Sequence, residues 1–236
     1  MNGERPSTPS LRVDGAVALV TGAGRGIGEA AAVALAEAGA DLVLMSRTAD
    51  DLARVGAAVR ELGRGAEEIV CDVTDTDRLM STIAGLHRID VLVTSAGTNT
   101  PQPFLDVDEA LDRLLALNVK SVFKTAQAVA RKMVQQGTGG SIIHISSQLG
   151  HVGSGLNRSV YCTTKHAVEG LVRATVVELA SQGIRVNSVA PTFLETPMTA
   201  PYFADPAFRT TVESRIPLGR VGAVEDIMGA IVCEGG

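Results

Sequence analysis

The sequence predicts an α/β protein built on a doubly wound parallel sheet with helices on both faces. Three observations carry this expectation. Short, nearly continuous apolar runs recur along the chain, as strands buried on both faces require. Longer helix-like stretches separate them, so the crossovers are right-handed and the strands parallel. The third is bulk: 236 residues, 45% hydrophobic, with no break in composition, can bury one large core. One domain is expected over residues 11–236, after a polar, flexible tail at 1–10 that carries Pro6 and Pro9.

Residues 16–21 form the first apolar run and end in glycines, which suits a buried strand. An Ala-rich helix is expected over 27–38, with Gly39 just past its end as a stop. Residues 42–45 read as the second strand. A helix over 49–62 follows, opened by Thr48 as N-cap. The third strand is expected to end at 69–71, before Asp72-Val73, and a helix to run over 74–86. Residues 89–94 form the fourth strand, ending in Ser95-Ala96-Gly97. One long helix is expected over 108–134, carrying Asn118 and broken by the glycines at 137–140. The fifth strand covers 141–146. A second long helix over 160–181 carries Tyr161 and Lys165 and is stopped by Gly183. The sixth strand, 184–190, is ended by Pro191.

Composition excludes several functions. The net charge of −5, with no Lys/Arg run, argues against a nucleic-acid surface. Aromatic residues are only 3% and Trp is absent, so base-stacking platforms are not expected. Cys71, Cys162 and Cys233 form no metal-like spacing with His87, His144, His151 or His166, and reduced, buried thiols are expected. His144 lies inside an apolar strand pattern and reads as a packed residue. The first ten residues lack the apolar core of a signal peptide, and no apolar run approaches the roughly 18–20 residues of a membrane span. A cytoplasmic protein without a membrane partner is the expectation.

Three local patterns point to chemistry. Thr21-Gly22-Ala23-Gly24-Arg25-Gly26-Ile27-Gly28 places glycines at GxxxGxG spacing between a strand and a helix. Such a turn lets a pyrophosphate approach the backbone at a helix N-terminus, where N–H groups and the dipole favour anions. Second, dinucleotide sites that prefer NAD place an acid at the end of the second strand. This chain has Ser46-Arg47 there, and the Arg47 fork suits a 2′-phosphate, with Arg25 as a second cation. NADP(H) is therefore expected over NAD(H), with NAD(H) as the alternative. Third, Tyr161 and Lys165 are four apart and share a helix face. An ammonium there favours the phenolate and lowers the phenol's pKa from its ordinary value of about 10.

Together with Asn118 and the Ser146-Ser147 pair, these residues resemble the short-chain dehydrogenase/reductase family over residues 11–232, most like members labelled gluconate 5-dehydrogenase-like or 3-oxoacyl reductase-like. The resemblance implies a Rossmann-like fold and hydride transfer between NADP(H) and a carbonyl or secondary alcohol. Tyr161 would be the general acid of reduction and base of oxidation. Ser147, heading Ser147-Gln-Leu-Gly150, would hold the carbonyl oxygen. Lys165 would also bind the nicotinamide ribose, and Asn118 would hold a water for proton relay. For the cofactor the resemblance implies Gly22, Gly24, Arg25, Gly26, Ile27, Gly28, Ser46, Arg47, Asp72, Val73, Ser95, Ala96, Gly97, Asn118, Tyr161, Lys165, Pro191, Leu194 and Thr196. Around the substrate it implies Ser147, Gln148, His151, Asn157 and Tyr161, with Arg158 in the same polar stretch between the Ser and the Tyr. No metal is implied.

The chain departs from the family in two places. Thr94-Ser95 stands where Asn-Asn is usual, which removes side chains that tie this strand end to its neighbour. The family's final strand is also missing from the pattern, and the domain is expected to be shortened at its C-terminus. The expected substrate is a polyol, sugar acid or similar oxygenated ketone, and the expected assembly a homotetramer or dimer. Two other readings fit the same residues: a 3-oxoacyl thioester reductase, and a non-catalytic dinucleotide-binding or sensor protein.

Overall fold

The computed structural model describes residues 10–236. Apart from Ser10, the expected N-terminal tail lies outside the described residues. Six parallel strands form one sheet: β1 (Val17–Thr21), β2 (Asp41–Ser46), β3 (Ala66–Val70), β4 (Val91–Thr94), β5 (Gly140–Ile145) and β6 (Ile184–Val189). Their order is β3-β2-β1-β4-β5-β6, so the winding reverses between β1 and β4. A crevice opens at that reversal, over the carboxyl ends of the strands.

Strand periodicity divides the core in two. Ala18, Val20, Leu42, Leu44, Val91 and Val93 point to one face, where α1 (Gly26–Glu37), α2 (Ala49–Glu61) and α9 (Glu225–Gly235) supply Leu35, Leu52, Val55, Ile227 and Ile231. Leu19, Val43, Met45, Leu92 and Ile142 point to the other, against α3 (Thr76–Gly85) and α5 (Ser121–Gln136), which supply Leu79, Ile83, Val129 and Met133. Both faces are covered, which is why these strands read as unbroken apolar runs.

The long helix expected over 108–134 is divided. Helix α4 (Ala110–Leu115) passes into a π-helical turn, Ala116–Lys120, before α5 begins. The Ser121 N–H reaches back to the Ala116 carbonyl, five residues earlier, and Asn118 sits inside the wide turn. Helix α6 (Ser159–Leu179) carries the Tyr–Lys pair. Short helices α7 (Ala200–Phe203) and α8 (Pro206–Glu213) follow β6.

Several boundaries differ from expectation. Strand β3 ends at Val70, inside the expected stretch, and its exposed Glu67 and Glu68 on this sheet edge hid where it begins. Helix α3 starts later, capped by Asp75, whose carboxylate accepts from the Arg78 N–H at 3.1 Å. Thr48 does precede α2, but its side chain makes no capping bond. All three cysteines are free thiols, and only Cys71 is buried, so the expectation of buried thiols fails for Cys162 and Cys233.

Candidate active site

The Gly-rich turn joins β1 to α1 under tight steric limits. Gly22 has φ +70°, and a Cβ there would lie 2.7 Å from the Ala96 backbone nitrogen. At Gly28 a Cβ would lie 2.1 Å from the Gly22 carbonyl oxygen. These two positions bring the turn against the end of β4 and the first turn of α1 against the loop itself. Gly28 is therefore a packing residue behind the turn and does not line the cleft.

The cleft above the turn has a volume of about 460 Å³ and runs across the strand ends. Gly22, Gly24, Arg25, Gly26 and Ile27 line it beneath α1, Ser46 and Arg47 after β2, and Asp72 and Val73 after β3. Ser95, Ala96 and Gly97 follow β4, and Pro191, Leu194 and Thr196 follow β6. Arg25 and Arg47 are exposed, and neither guanidinium forms an ion pair or hydrogen bond among the described residues. The Asp72 carboxylate accepts from the Thr74 N–H at 2.9 Å and hydroxyl at 2.8 Å. Those bonds, with Arg47 nearby, hold its pKa below the usual carboxylate range. Asp51, unforeseen in the sequence, also lines this end.

At the other end Ser147, Gln148, Tyr161 and Lys165 converge. Ser147 follows β5, and its hydroxyl accepts from the Leu149 N–H at 3.2 Å. One helical turn separates Tyr161 from Lys165, whose Nζ lies 5.6 Å from the Tyr161 ring centre. The ammonium donates to the Ile145 carbonyl at 2.7 Å. Burial lowers the Lys165 pKa to about 8 against the raising influence of Glu169. The expected lowering at Tyr161 is not found. Burial raises its phenol above the ordinary value, and the opposing effects of Ser147 and Arg158 do not offset it. Enclosure of the ring outweighs the neighbouring positive charge.

Asn118 is 1% exposed and does not line the cleft. Its Oδ1 accepts from the Thr98 N–H at 3.0 Å, and its Nδ2 donates to the Thr98 carbonyl at 2.8 Å and the Thr164 hydroxyl at 3.2 Å. The side chain thus clamps the segment after β4 to α6. His151 and Asn157, expected near the substrate, do not line the cleft either. His151 is exposed and points Nε2 at Glu169, 3.4 Å away. Asn157 turns the chain at φ 54°, and its carbonyl accepts from the Gln102 N–H at 2.9 Å.

Sequence reasoning missed two features. Glu169, buried one turn beyond Lys165, accepts from the Ser188 hydroxyl at 3.0 Å. Its i, i+4 spacing from Lys165 was a usable signal. Thr94 and His144 are register partners on β4 and β5, and Thr94 Oγ1 lies 2.7 Å from His144 Nδ1. That bond ties the two strand ends where an Asn was expected, so the lost tie is replaced. Of the polar residues expected between Ser147 and Tyr161, Arg158, the N-cap of α6, does line the cleft with Gln148.

The short chain dehydrogenase family model matches residues 16–207. The chain belongs to this family. Bovine L-xylulose reductase is 40% identical over 223 residues, which cover 94% of this chain and 89% of the relative. D-erythrulose reductase from Gallus gallus is 39% identical over 225 residues, covering 95% and 89%. The crystal structure of a gluconate 5-dehydrogenase from Burkholderia cenocepacia, in complex with NADP and tartrate, superposes with a TM-score of 0.91. It is 34% identical, with 96% of this chain and 90% of that chain covered. As a short-chain dehydrogenase, the protein is an NAD(P)-dependent oxidoreductase acting on CH–OH groups and the corresponding carbonyls.

Proposed function

We propose that this short-chain dehydrogenase interconverts a ketone and a secondary alcohol on a sugar-like, oxygenated substrate with NADP(H), and that Tyr161 moves the proton. The observation that carries the reading is the convergence of Ser147, Tyr161 and Lys165 at one end of the cleft that the Gly-rich turn begins. Relatives named for xylulose, erythrulose and gluconate chemistry support the substrate class.

The residues fit a dinucleotide. A Cβ at Gly26, which has φ +58°, would stand 3.6 Å from Thr196 and narrow the passage between the turn and the loop after β6. Two free guanidiniums, Arg25 and Arg47, suit the 2′-phosphate of NADP. Bound nicotinamide supplies or accepts the hydride. The chain's own part is proton and charge management. Ser147 donates a hydrogen bond to the carbonyl oxygen and Tyr161 donates its proton as negative charge develops there. A phenol held above its ordinary pKa is protonated at neutral pH, the state reduction requires. Lys165, fixed by the Ile145 carbonyl, places its positive charge beside the phenolate that remains. Asn118 serves as a positioning residue that holds the loop after β4.

The test is consumption of reduced nucleotide with a panel of ketoses, keto acids and oxoacyl thioesters. Wild-type protein turns over a ketose or keto acid, and Tyr161→Phe loses on the order of 10²–10⁴-fold in kcat while retaining nucleotide affinity. Unchanged turnover in Tyr161→Phe would refute the role of the phenol. Turnover of thioesters alone would move the substrate class.

A further inference from the structure

Arg158 is 8% exposed and forms no ion pair among the described residues. Its guanidinium lies over the Phe193 ring at 5.0 Å and the Tyr202 ring at 5.4 Å. Those faces accept a cation but leave its N–H donors unused. None of the five hydrogen-bonds to a described residue, and Nε is buried without a partner. No carboxylate acts on it: burial depresses its pKa, and the groups opposing that are Tyr202, Tyr161 and Cys162. An Arg remains cationic at neutral pH all the same. Burying such a charge unpaired is costly, so proteins pair it or present it to a ligand.

The position of this cation decides between those uses. Arg158 lines the cleft with Ser147, Gln148 and Tyr161, three residues ahead of the Tyr at the N-cap of α6. The positive end of this 21-residue helix adds to the field there. Asn99 also lines the cleft and has a buried, unpartnered Oδ1. The other cations of the cleft are engaged or distant: Lys165 is bonded to the Ile145 carbonyl, and Arg25 and Arg47 belong to the turn after β1 and the end of β2. A single forked cation at this end matches a single negative charge.

We infer that Arg158 is the anchor for a carboxylate on the substrate, so that the preferred substrate is a hydroxy or oxo acid of the aldonate kind rather than a neutral ketose. The inference rests on the oxidoreductase reading only for where the reacting carbon lies. The alternative role for Arg158 is a latch: through Phe193 and Tyr202 it would merely pin the segment after β6 over the cleft.

Calorimetric titration of the full chain, with and without excess NADP⁺, separates these roles. The probes are D-gluconate and D-glucitol, in which CH₂OH replaces the carboxylate. Wild-type protein is expected to bind gluconate about 10- to 100-fold tighter than glucitol, the range of a charge-assisted pair. Arg158→Met keeps apolar contact with the rings and brings gluconate to the level of glucitol. Arg158→Lys recovers part of the preference. Equal binding of the two probes by wild type overturns the inference without recourse to any variant. Equal weakening of both probes in Arg158→Met identifies a latch and overturns it too. Tighter binding of glucitol 6-phosphate than of gluconate overturns the choice of carboxylate over phosphate. Discriminating binding of gluconate without turnover by either nucleotide leaves Arg158 as the anchor and refutes the proposed oxidation of this acid instead.

Discussion

Thr94 and His144 show how one residue pair takes over a family tie and adds a pH dependence. His144 is fully buried, and its ring is held by Thr94 at 2.7 Å. Burial first, and the charge of Lys165 second, lower its pKa from 6.5 to about 4. Below about pH 6.5 the unfolded chain gains a proton on this residue that the native state gains only near 4, so stability falls as pH drops through that window. The size is about 3 kcal/mol at most. The pair Thr94→Val, His144→Leu removes the titration together with both polar groups. In urea unfolding, its stability should fall less than that of wild type between pH 6.5 and 4, by up to about that amount. Parallel pH profiles for the two proteins would contradict this origin. Neither residue announced the pairing in sequence, because it depends on the register of β4 with β5.

Among the elements, the π-helical turn between α4 and α5 has the clearest consequence. It lets one buried amide satisfy both backbone groups of Thr98 and hold the segment after β4 to α6. Asn118→Ala strands those two groups, so a loss of about 2–6 kcal/mol in stability is expected, at about 1–3 kcal/mol for each group left unpaired. The Thr98 amide should exchange with solvent faster than its strand neighbours. A variant as stable as wild type with an unchanged Thr98 amide would remove the clamp from the account. The sequence showed that a helix crosses this region but not that it widens there, since apolar spacing over residues 108–134 is the same for either geometry. The Gly-rich turn and the Tyr161/Lys165 pair were legible because their chemistry lies in short spacing. Arg158 was visible as a polar residue before the Tyr, but its isolation depends on Phe193 and Tyr202, more than 30 residues away. The same limit hid the placement of His151, which packs toward Glu169 on α6 instead of facing the cleft.

At the scale of the molecule, the cleft is assembled from the loops after all six strands, so a dinucleotide filling it would touch every strand end of the sheet at once. A ligand that binds only the native state adds stability as its concentration exceeds its dissociation constant, about 2.7 kcal/mol at a hundredfold excess. Preference between nucleotides therefore appears as a difference in melting temperature, without need of a substrate. On the proposed reading Arg47 and Arg25, both exposed, would meet the 2′-phosphate, while the carboxylates of Asp51 and Asp72 on the same wall would oppose it. The expected preference for NADPH then rests on direct pairing of the two guanidiniums with the phosphate, and salt weakens it because the arginines are solvent-facing. At equal saturating concentrations a 30-fold tighter NADPH corresponds to about 2 kcal/mol. For a chain of this size that is a melting temperature about 4–8 °C higher with NADPH than with NADH. Arg47→Ala should remove most of the difference by lowering the NADPH curve and leaving the NADH curve in place. If NADH stabilises the wild-type protein as much as NADPH does, Asp51 and Asp72 offset the two arginines and the proposed preference for NADP(H) fails. If Arg47→Ala lowers both curves together, the arginine acts on the fold of the loop after β2 and not on the phosphate.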